Sequence, residues 1–246
     1  HKRIAKEYDA IMLETSVTQV EAKEDGLWVT FDGKHAPETN PKRYDSILCA
    51  VGRKPNGALI GAEKAGVNVD ERGFIAVDKQ MRTNIPHIYA IGDIIGNPML
   101  AHKASEEGVA VAEIIAGQAG QVNYNTIPSV IYTAPEVASV GKTEEEIKKQ
   151  GIKYKVGKFP FTANPRAKIM HDTEGFVKIL SEADTDEVLG VHIIGPDAGN
   201  LIAELAIAME FGASTEDIAR TCHAHPTLNE SIKEAALNVE GDAIHI

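Results

Sequence analysis

The sequence is poor in cysteine and has no long apolar run. Its 246 residues include only Cys49 and Cys222, too few for a disulfide framework, which suits a reducing compartment. The longest apolar candidate, residues 201–211, is shorter than the ~20 residues needed to cross a bilayer, and Glu204 and Glu210 interrupt it. We therefore expect no membrane association and a cytoplasmic location.

Basic charge is also scarce. Lys and Arg number 25 against 36 Asp and Glu, so the formal net charge is −11. No block of Lys or Arg interrupts this acidity, and an acidic surface repels nucleic acid, which is therefore not an expected partner. The sequence has no G-x-G-x-x-G motif, no P-loop and no closely spaced cysteine pair. Because it begins with His1 rather than Met, we expect it to be part of something longer.

The remaining composition is globular, with 43% apolar and 25% charged residues. Residues 11–20 and 27–31 are prone to form strands, and residues 32–41 read as a loop. The continuous apolar run at residues 46–51 predicts a strand buried on both faces, with Cys49 packed inside it. A break at residues 53–57 predicts a domain boundary after residue 53.

The middle of the chain, residues 54–122, predicts short strands at 74–77 and 87–91. A helix is expected from about residue 101 to 116, ended by Gly117. The helix places four apolar residues on or near one side: Ala104, Val109, Ala112 and Ile115.

From about residue 123 to 246 the pattern changes to α+β. Residues 130–132 and 137–140 are typical of strands, and residues 176–180 and 188–194 of a hairpin. Residues 143–146 form a capping box that opens a helix closed by Gly151. Further helices are predicted at 199–211, from Ser214, and at 229–237.

The strongest local motif is residues 223–230, HAHPTLNE. A histidine can transfer protons near neutral pH, and a carboxylate on its other ring nitrogen fixes the tautomer and raises its basicity. Pro226 disfavours helix at His225, so Glu230 in the next helix could fold back towards it. A capping box from Thr227 to Glu230 explains the same residues structurally. A metal site made of Cys222, His223 and His225 is disfavoured, because its spacing is too tight for zinc and no fourth ligand is evident.

A second motif is the apolar run that ends in Gly92 and Asp93. A carboxylate at the carboxyl edge of a sheet can accept hydrogen bonds from ligand sugar hydroxyls, although a plain turn explains Asp93 equally well. The following helix start, residues 98–103, offers backbone N–H groups to an oxygen that gains negative charge. Gly52, at the end of a predicted strand, permits close approach of a ligand, or simply a turn.

Four segments in this order, AVGRKPN, RGFIAVDKQMRTNIPHIYAIGD, PMLAHKASEEG and HAHPTLNESIKEAAL, resemble the dihydrolipoamide dehydrogenase family of flavoprotein pyridine nucleotide-disulfide oxidoreductases. The resemblance runs along essentially the whole chain. It implies an α/β and α+β fold: residues 1–53 as the end of a Rossmann-like NAD domain, 54–122 as a central FAD-contacting domain and 123–246 as an α+β dimerisation (interface) domain.

The resemblance also implies roles for particular residues. His225 is similar to the family's catalytic base and Glu230 to the carboxylate that orients it, with His223 in support. The implied FAD-contacting residues are Asp93, Met99, Leu100, Ala101 and His102, and the implied NAD-site residues are Gly52 and Val17. The resemblance implies FAD and NAD as cofactors and no metal site.

The implied activity is oxidation of protein-bound dihydrolipoamide, with electrons passing through a redox disulfide and FAD to NAD. The implied partners are a second copy of the chain, lipoyl domains and the E2 core of 2-oxoacid dehydrogenase complexes such as the pyruvate dehydrogenase complex. The 246 residues alone are expected to be inactive because they contain no redox cysteine pair. Two alternatives remain open: a disulfide reductase of the glutathione reductase type, and a non-catalytic dimerisation module.

Overall fold

The computed structural model describes all 246 residues of the chain. They form two compact units, His1–Lys54 and Pro55–Ile246, each with one antiparallel sheet. The fold is therefore mixed α/β. A further division of the second unit near residue 122 stays a prediction.

The first unit is built on three strands in the order β1 (Thr15–Lys23), β2 (Gly26–Gly33) and β3 (Lys42–Tyr44). A two-residue turn joins β1 to β2, and Trp28 Nε1 donates a 3.0 Å hydrogen bond to Asp25 Oδ1 in that turn. β1 and β2 confirm the two strands predicted here. The sequence did not indicate β3.

The predicted buried strand at residues 46–51 is wrong. This segment forms no strand, and Leu48, Cys49 and Val51 are exposed. An apolar run becomes a buried strand only where a neighbouring strand and covering side chains are present, and the sheet of this unit ends at β3. The interpretation of Cys49 as a packing residue is corrected with it.

The strands predicted at residues 74–77 and 87–91 are reduced to two isolated bridges, Val69 with Ile75 and Arg82 with Tyr89. Tight turns account for this. Asp70 Oδ1 accepts hydrogen bonds from two backbone N–H groups on its C-terminal side, and Asp78 Oδ1 does the same. The chain reverses too soon for a longer ladder to form.

The predicted helix is confirmed as α1 (Ala101–Ile115), with Gly117 beyond its end in a left-handed conformation at φ 77°. The side that carries the four apolar residues is not the buried one, because Val109, Ala112 and Ile115 are exposed and Ala104 is half-buried. The buried residues are Lys103, Glu107 and Ala110. Two charged side chains therefore occupy the inner face of this helix.

The rest of the second unit is a five-stranded antiparallel sheet with helices packed on it, in the order β4-β5-β8-β7-β6. The strands are β4 (Ser129–Ile131), β5 (Glu136–Gly141), β6 (Tyr154–Pro160), β7 (Phe176–Glu182) and β8 (Val188–Gly195). The helices are α2 (Glu144–Lys149), α3 (Pro165–Met170), α4 (Ala198–Glu210), α5 (Thr215–Arg220) and α6 (Glu230–Asn238). The capping box, the hairpin and four predicted helices are confirmed, whereas β6 and α3 were not predicted.

Two helices position the candidate site. α4 packs on β5 and β8, and α6 packs on β6 and β7 and against α5. Their buried residues, among them Leu205 and Ile232, join the main hydrophobic core. None of the helices combines the length and apolar character that crossing a bilayer demands.

Candidate active site

His225 lies in the irregular segment between α5 and α6, where Pro226 keeps the backbone out of the helix that follows. Its side chain is 68% exposed. Its Nδ1 is 2.8 Å from Glu230 Oε1, in the first turn of α6. The structure thus brings together the two residues predicted as base and orienting carboxylate.

Glu230 makes two hydrogen bonds at once. Oε1 accepts from His225 Nδ1, and Oε2 accepts from the Thr227 backbone N–H at 2.9 Å. The Thr227 hydroxyl donates to Ala224 O at 2.7 Å instead of capping the helix. The two interpretations of Glu230 are therefore compatible, since one oxygen orients the histidine and the other holds the chain at the start of α6.

The Glu230 carboxyl is ionised at neutral pH. Desolvation of this mostly buried group raises its pKa, but hydrogen bonds from Thr227 N–H and His225 lower it by more, so its pKa lies below the ordinary value. An ionised carboxylate only accepts hydrogen bonds, so His225 Nδ1 must donate. The exposed Nε2 is then the ring nitrogen that can take up a proton.

His223 belongs to a second histidine–carboxylate pair. Its Nε2 is 2.7 Å from Glu204 Oε1 and its Nδ1 is 3.0 Å from Thr221 O. Both ring nitrogens face protein oxygens, whereas Nε2 of His225 faces none. The other oxygen of Glu204 accepts from Asn229 Nδ2 at 2.6 Å.

Sequence reasoning missed Glu204, although a signal was present. It is a charged residue within the most apolar helix of the chain, where a carboxylate needs a specific partner. Its two oxygens reach residues on either side of His225 and so hold the segment that carries the candidate base.

Asp93 lies in a 3₁₀ turn, Gly92–Ile95, beside the start of α1. Its side chain makes no hydrogen bond or ion pair within the chain. A Cβ on Gly92 would lie 3.2 Å from Ala104 Cβ, so the turn packs closely on the helix. No hydrogen bond joins this region to His225 or Glu230.

The start of α1 has no side-chain cap, because Leu100 occupies the N-cap position. The first-turn N–H groups of Ala101 and the two residues after it have no acceptor within the helix. Met99 and Leu100 are half-buried, and His102 Nε2 donates to Pro128 O at 2.8 Å. An uncapped helix start of this kind suits a ligand oxygen that carries negative charge.

The two predicted NAD-site residues lie in the first unit. Val17 is on β1 and lines a shallow apolar pocket of about 260 Å³ together with Val20, Phe31 and Tyr44. Gly52 has φ 108° in an exposed segment and does not line this pocket. Of the two predicted NAD-site residues, Val17 lines this pocket and Gly52 does not.

Two family models match this chain. Residues 2–108 match the pyridine nucleotide-disulphide oxidoreductase model, and residues 127–236 match the dimerisation domain of the same family. The chain belongs to the pyridine nucleotide-disulphide oxidoreductase family. Membership accounts for the ordered motifs along the sequence.

Relatives within this family include the dihydrolipoyl dehydrogenase of Haemophilus influenzae, 55% identical over 98% of this chain and 50% of its own length. The mitochondrial dihydrolipoyl dehydrogenase of Dictyostelium discoideum is 52% identical over 100% of this chain and 51% of its own length. The chain thus spans about half the length of the relatives it matches.

Solved structures of the family share the fold. LpdA from Mycobacterium tuberculosis has a TM-score of 0.85 and 27% identity, covering 97% of this chain and 51% of that one. The HOCl-induced flavoprotein disulfide reductase RclA from Escherichia coli has a TM-score of 0.77 and 27% identity, covering 88% and 49%.

Proposed function

We propose that this chain is the C-terminal part of a dihydrolipoyl dehydrogenase, which oxidises protein-bound dihydrolipoamide. The His225–Glu230 pair carries the proposal, because it leaves one imidazole nitrogen exposed, unbonded and ready to accept a proton. Relatives of that name, 49% to 55% identical over nearly the whole chain, support the choice of substrate.

In the proposed reaction, His225 Nε2 takes the proton from a thiol of dihydrolipoamide. The resulting thiolate is the stronger nucleophile, and the imidazolium formed on His225 stays bonded through Nδ1 to the Glu230 carboxylate. Glu230 therefore has two tasks, since it orients the neutral ring and stabilises the charged one.

The residues around Asp93 fit FAD. The unpartnered Asp93 carboxylate would accept hydrogen bonds from the sugar-alcohol chain, and the uncapped start of α1, with Met99, Leu100, Ala101 and His102, would face the ring oxygen that gains charge. Bound FAD would receive the electron pair of the dithiol and transfer it as a hydride to NAD. We propose Val17 and Gly52 for the NAD side of the site.

We also propose a homodimer. The family model over residues 127–236 is named for dimerisation, and several large side chains of this region are exposed, including Ile131, Tyr132, Ile207 and Phe211. Exposed apolar side chains suit an interface where they form a contiguous patch. Lipoyl domains and an E2 core are the proposed larger partners, in the cytoplasm or, as in the relatives named for it, in the mitochondrion.

The test is His225→Gln in the full-length holoenzyme, with dihydrolipoamide and NAD as substrates. We expect turnover to fall by about 10²-fold or more, the usual contribution of a general base, with unchanged FAD content. His87→Gln is the matched control, because His87 is exposed and makes no hydrogen bond through its side chain.

Unchanged turnover in His225→Gln would contradict the assignment of the base. Faster NAD(P)H-dependent reduction of glutathione disulfide than oxidation of dihydrolipoamide would favour the glutathione reductase type instead. We also propose that residues 1–246 alone have no lipoamide activity, since their two cysteines are far apart in sequence.

A further inference from the structure

The inner face of α1 holds an ion pair that the proposed reaction does not use. Lys103 and Glu107 are one helical turn apart, their side chains are 1% and 0% exposed, and Nζ lies 3.1 Å from Oε1. Burying two charges requires their desolvation, and an apolar pair of similar size is often at least as stable. Fold stability alone therefore does not account for this pair.

The bonds of the pair go to the turn that carries Asp93, which we define as the Asp93 turn, residues 92–96. Lys103 Nζ donates to Gly92 O at 3.1 Å and to Gly96 O at 3.2 Å. Glu107 Oε2 accepts from Gly92 N–H at 2.7 Å. Both ends of the Asp93 turn are thus held by buried charges.

The charged pair bonds the Asp93 turn at its two glycines, where no side chain can pack. Gly92 has φ 77° and Gly96 has φ 115°, and neither glycine has a side chain with which to pack. Beyond the bonds of its own 3₁₀ helix, the turn has a 3.3 Å bond from Gly96 N–H to Asp93 O and a 2.9 Å bond from Ile75 N–H to Ile94 O. Lys103 and Glu107 therefore hold the two glycines at the ends of the turn, on either side of Asp93.

We propose that Lys103 and Glu107 are positioning residues that fix the Asp93 carboxylate for the flavin. This inference rests on the proposed function, because it requires FAD at Asp93. The pair acts through backbone atoms and does not touch the cofactor. Tyr124 completes the arrangement, donating from its hydroxyl to Glu107 Oε1 at 2.7 Å.

The test is the double variant Lys103→Met/Glu107→Leu in the full-length holoenzyme, read out as the rate of FAD release from flavin fluorescence after dilution. An apolar pair keeps the helix packed but offers nothing to the Asp93 turn. We expect FAD release to be at least about tenfold faster, the loss of one charge-assisted hydrogen bond or more.

A double-mutant cycle with Asp93→Ala separates positioning from general loosening. If the Lys103–Glu107 pair acts through Asp93, replacing the pair in an Asp93→Ala background should change the rate of FAD release very little. An equal increase in both backgrounds, or no increase in either, would overturn the inference. Where the double variant does not fold, Glu107→Gln is carried through the same cycle, because it keeps the side-chain shape but removes one acceptor oxygen.

The matched control is Lys178→Met/Glu144→Leu, the same replacements in an ion pair between β7 and α2. We expect FAD release to stay at the wild-type rate, because this pair has no bond to the Asp93 turn. A full-length wild-type protein that binds no flavin would overturn the proposed function itself. If the wild type binds flavin but the effects of the pair and of Asp93→Ala on FAD release are additive, only the positioning role is overturned.

Discussion

Glu230→Gln separates the two tasks of this side chain. The carboxylate accepts from His225 Nδ1 through one oxygen, at 2.8 Å, and from Thr227 N–H through the other, at 2.9 Å. Glutamine has the same shape but only one acceptor oxygen, and its other terminal atom is a donor. One of the two bonds must therefore be lost or reversed in direction.

The loss in turnover and in folding free energy depends on which hydrogen bond the amide oxygen of the glutamine keeps. If it keeps Thr227 N–H, the amide NH₂ faces His225 Nδ1 and places the ring proton on Nε2, which removes the base. If it keeps His225, the Thr227 N–H is left unpaired, at a cost of about 1–3 kcal/mol in folding free energy. In both cases the His225 imidazolium loses its counter-charge, and we expect kcat/KM to fall by about 10²-fold or more.

The assay is NADH formation from dihydrolipoamide by the full-length holoenzyme, beside urea unfolding of the same samples. Glu234→Gln is the matched control on the same helix, because Glu234 holds His245 Nδ1 at 2.7 Å one turn further on. We expect this control to lower stability, since Glu234 is buried and also accepts from Ile244 N–H, and to leave turnover intact.

The stability difference between wild type and Glu230→Gln should depend on pH. The pKa of Glu230 is lowered in the folded state, so the carboxylate stabilises the fold above its ordinary pKa, and this contribution is lost as the pH falls through the folded-state value. The two unfolding free energies should converge in acid. Turnover of Glu230→Gln equal to wild type, with FAD bound, would refute the orienting role.

Three further predictions concern stability and assembly. Glu144→Gln should lower the urea midpoint at neutral pH and match wild type near pH 2, because bonds from Lys148, Lys178 and Tyr154 lower the pKa of Glu144 to about 2. Gly157→Ala should destabilise by about 1–3 kcal/mol in thermal unfolding, since its Cβ would lie 1.9 Å from Ala235 O. Phe211→Glu should shift sedimentation of the full-length protein towards monomer, because this exposed side chain belongs to the proposed interface; an unshifted dimer would exclude it from that interface.

The local signals of the C-terminal half were sufficient to predict most of its elements. A capping box requires only residues 143–146, and the hairpin requires only two alternating runs around an acidic turn, so neither depends on distant parts of the chain. The His225–Glu230 contact was also predictable, because five residues with a proline between them leave few alternative geometries.

Local turns shorten the strands expected at residues 74–77 and 87–91, whereas other differences concern burial that distant residues decide. The run at residues 46–51 has the composition of a core strand, but its conformation depends on strands that must come from elsewhere. The inner face of α1 carries Lys103 and Glu107 although the helix has an apolar side elsewhere, because the Asp93 turn supplies three backbone partners. Glu204 was overlooked for the same reason, since its partners lie 19 and 25 residues further along the chain.

The two bonds of Glu204 have a mechanical consequence for the candidate base. A rigid segment held at two points, here His223 and Asn229, can no longer translate and keeps only rotation about the line between them. The bond from His225 to Glu230 removes that rotation. Three hydrogen bonds therefore fix the segment and the ring, while 68% of the His225 side chain stays exposed and open to a second molecule.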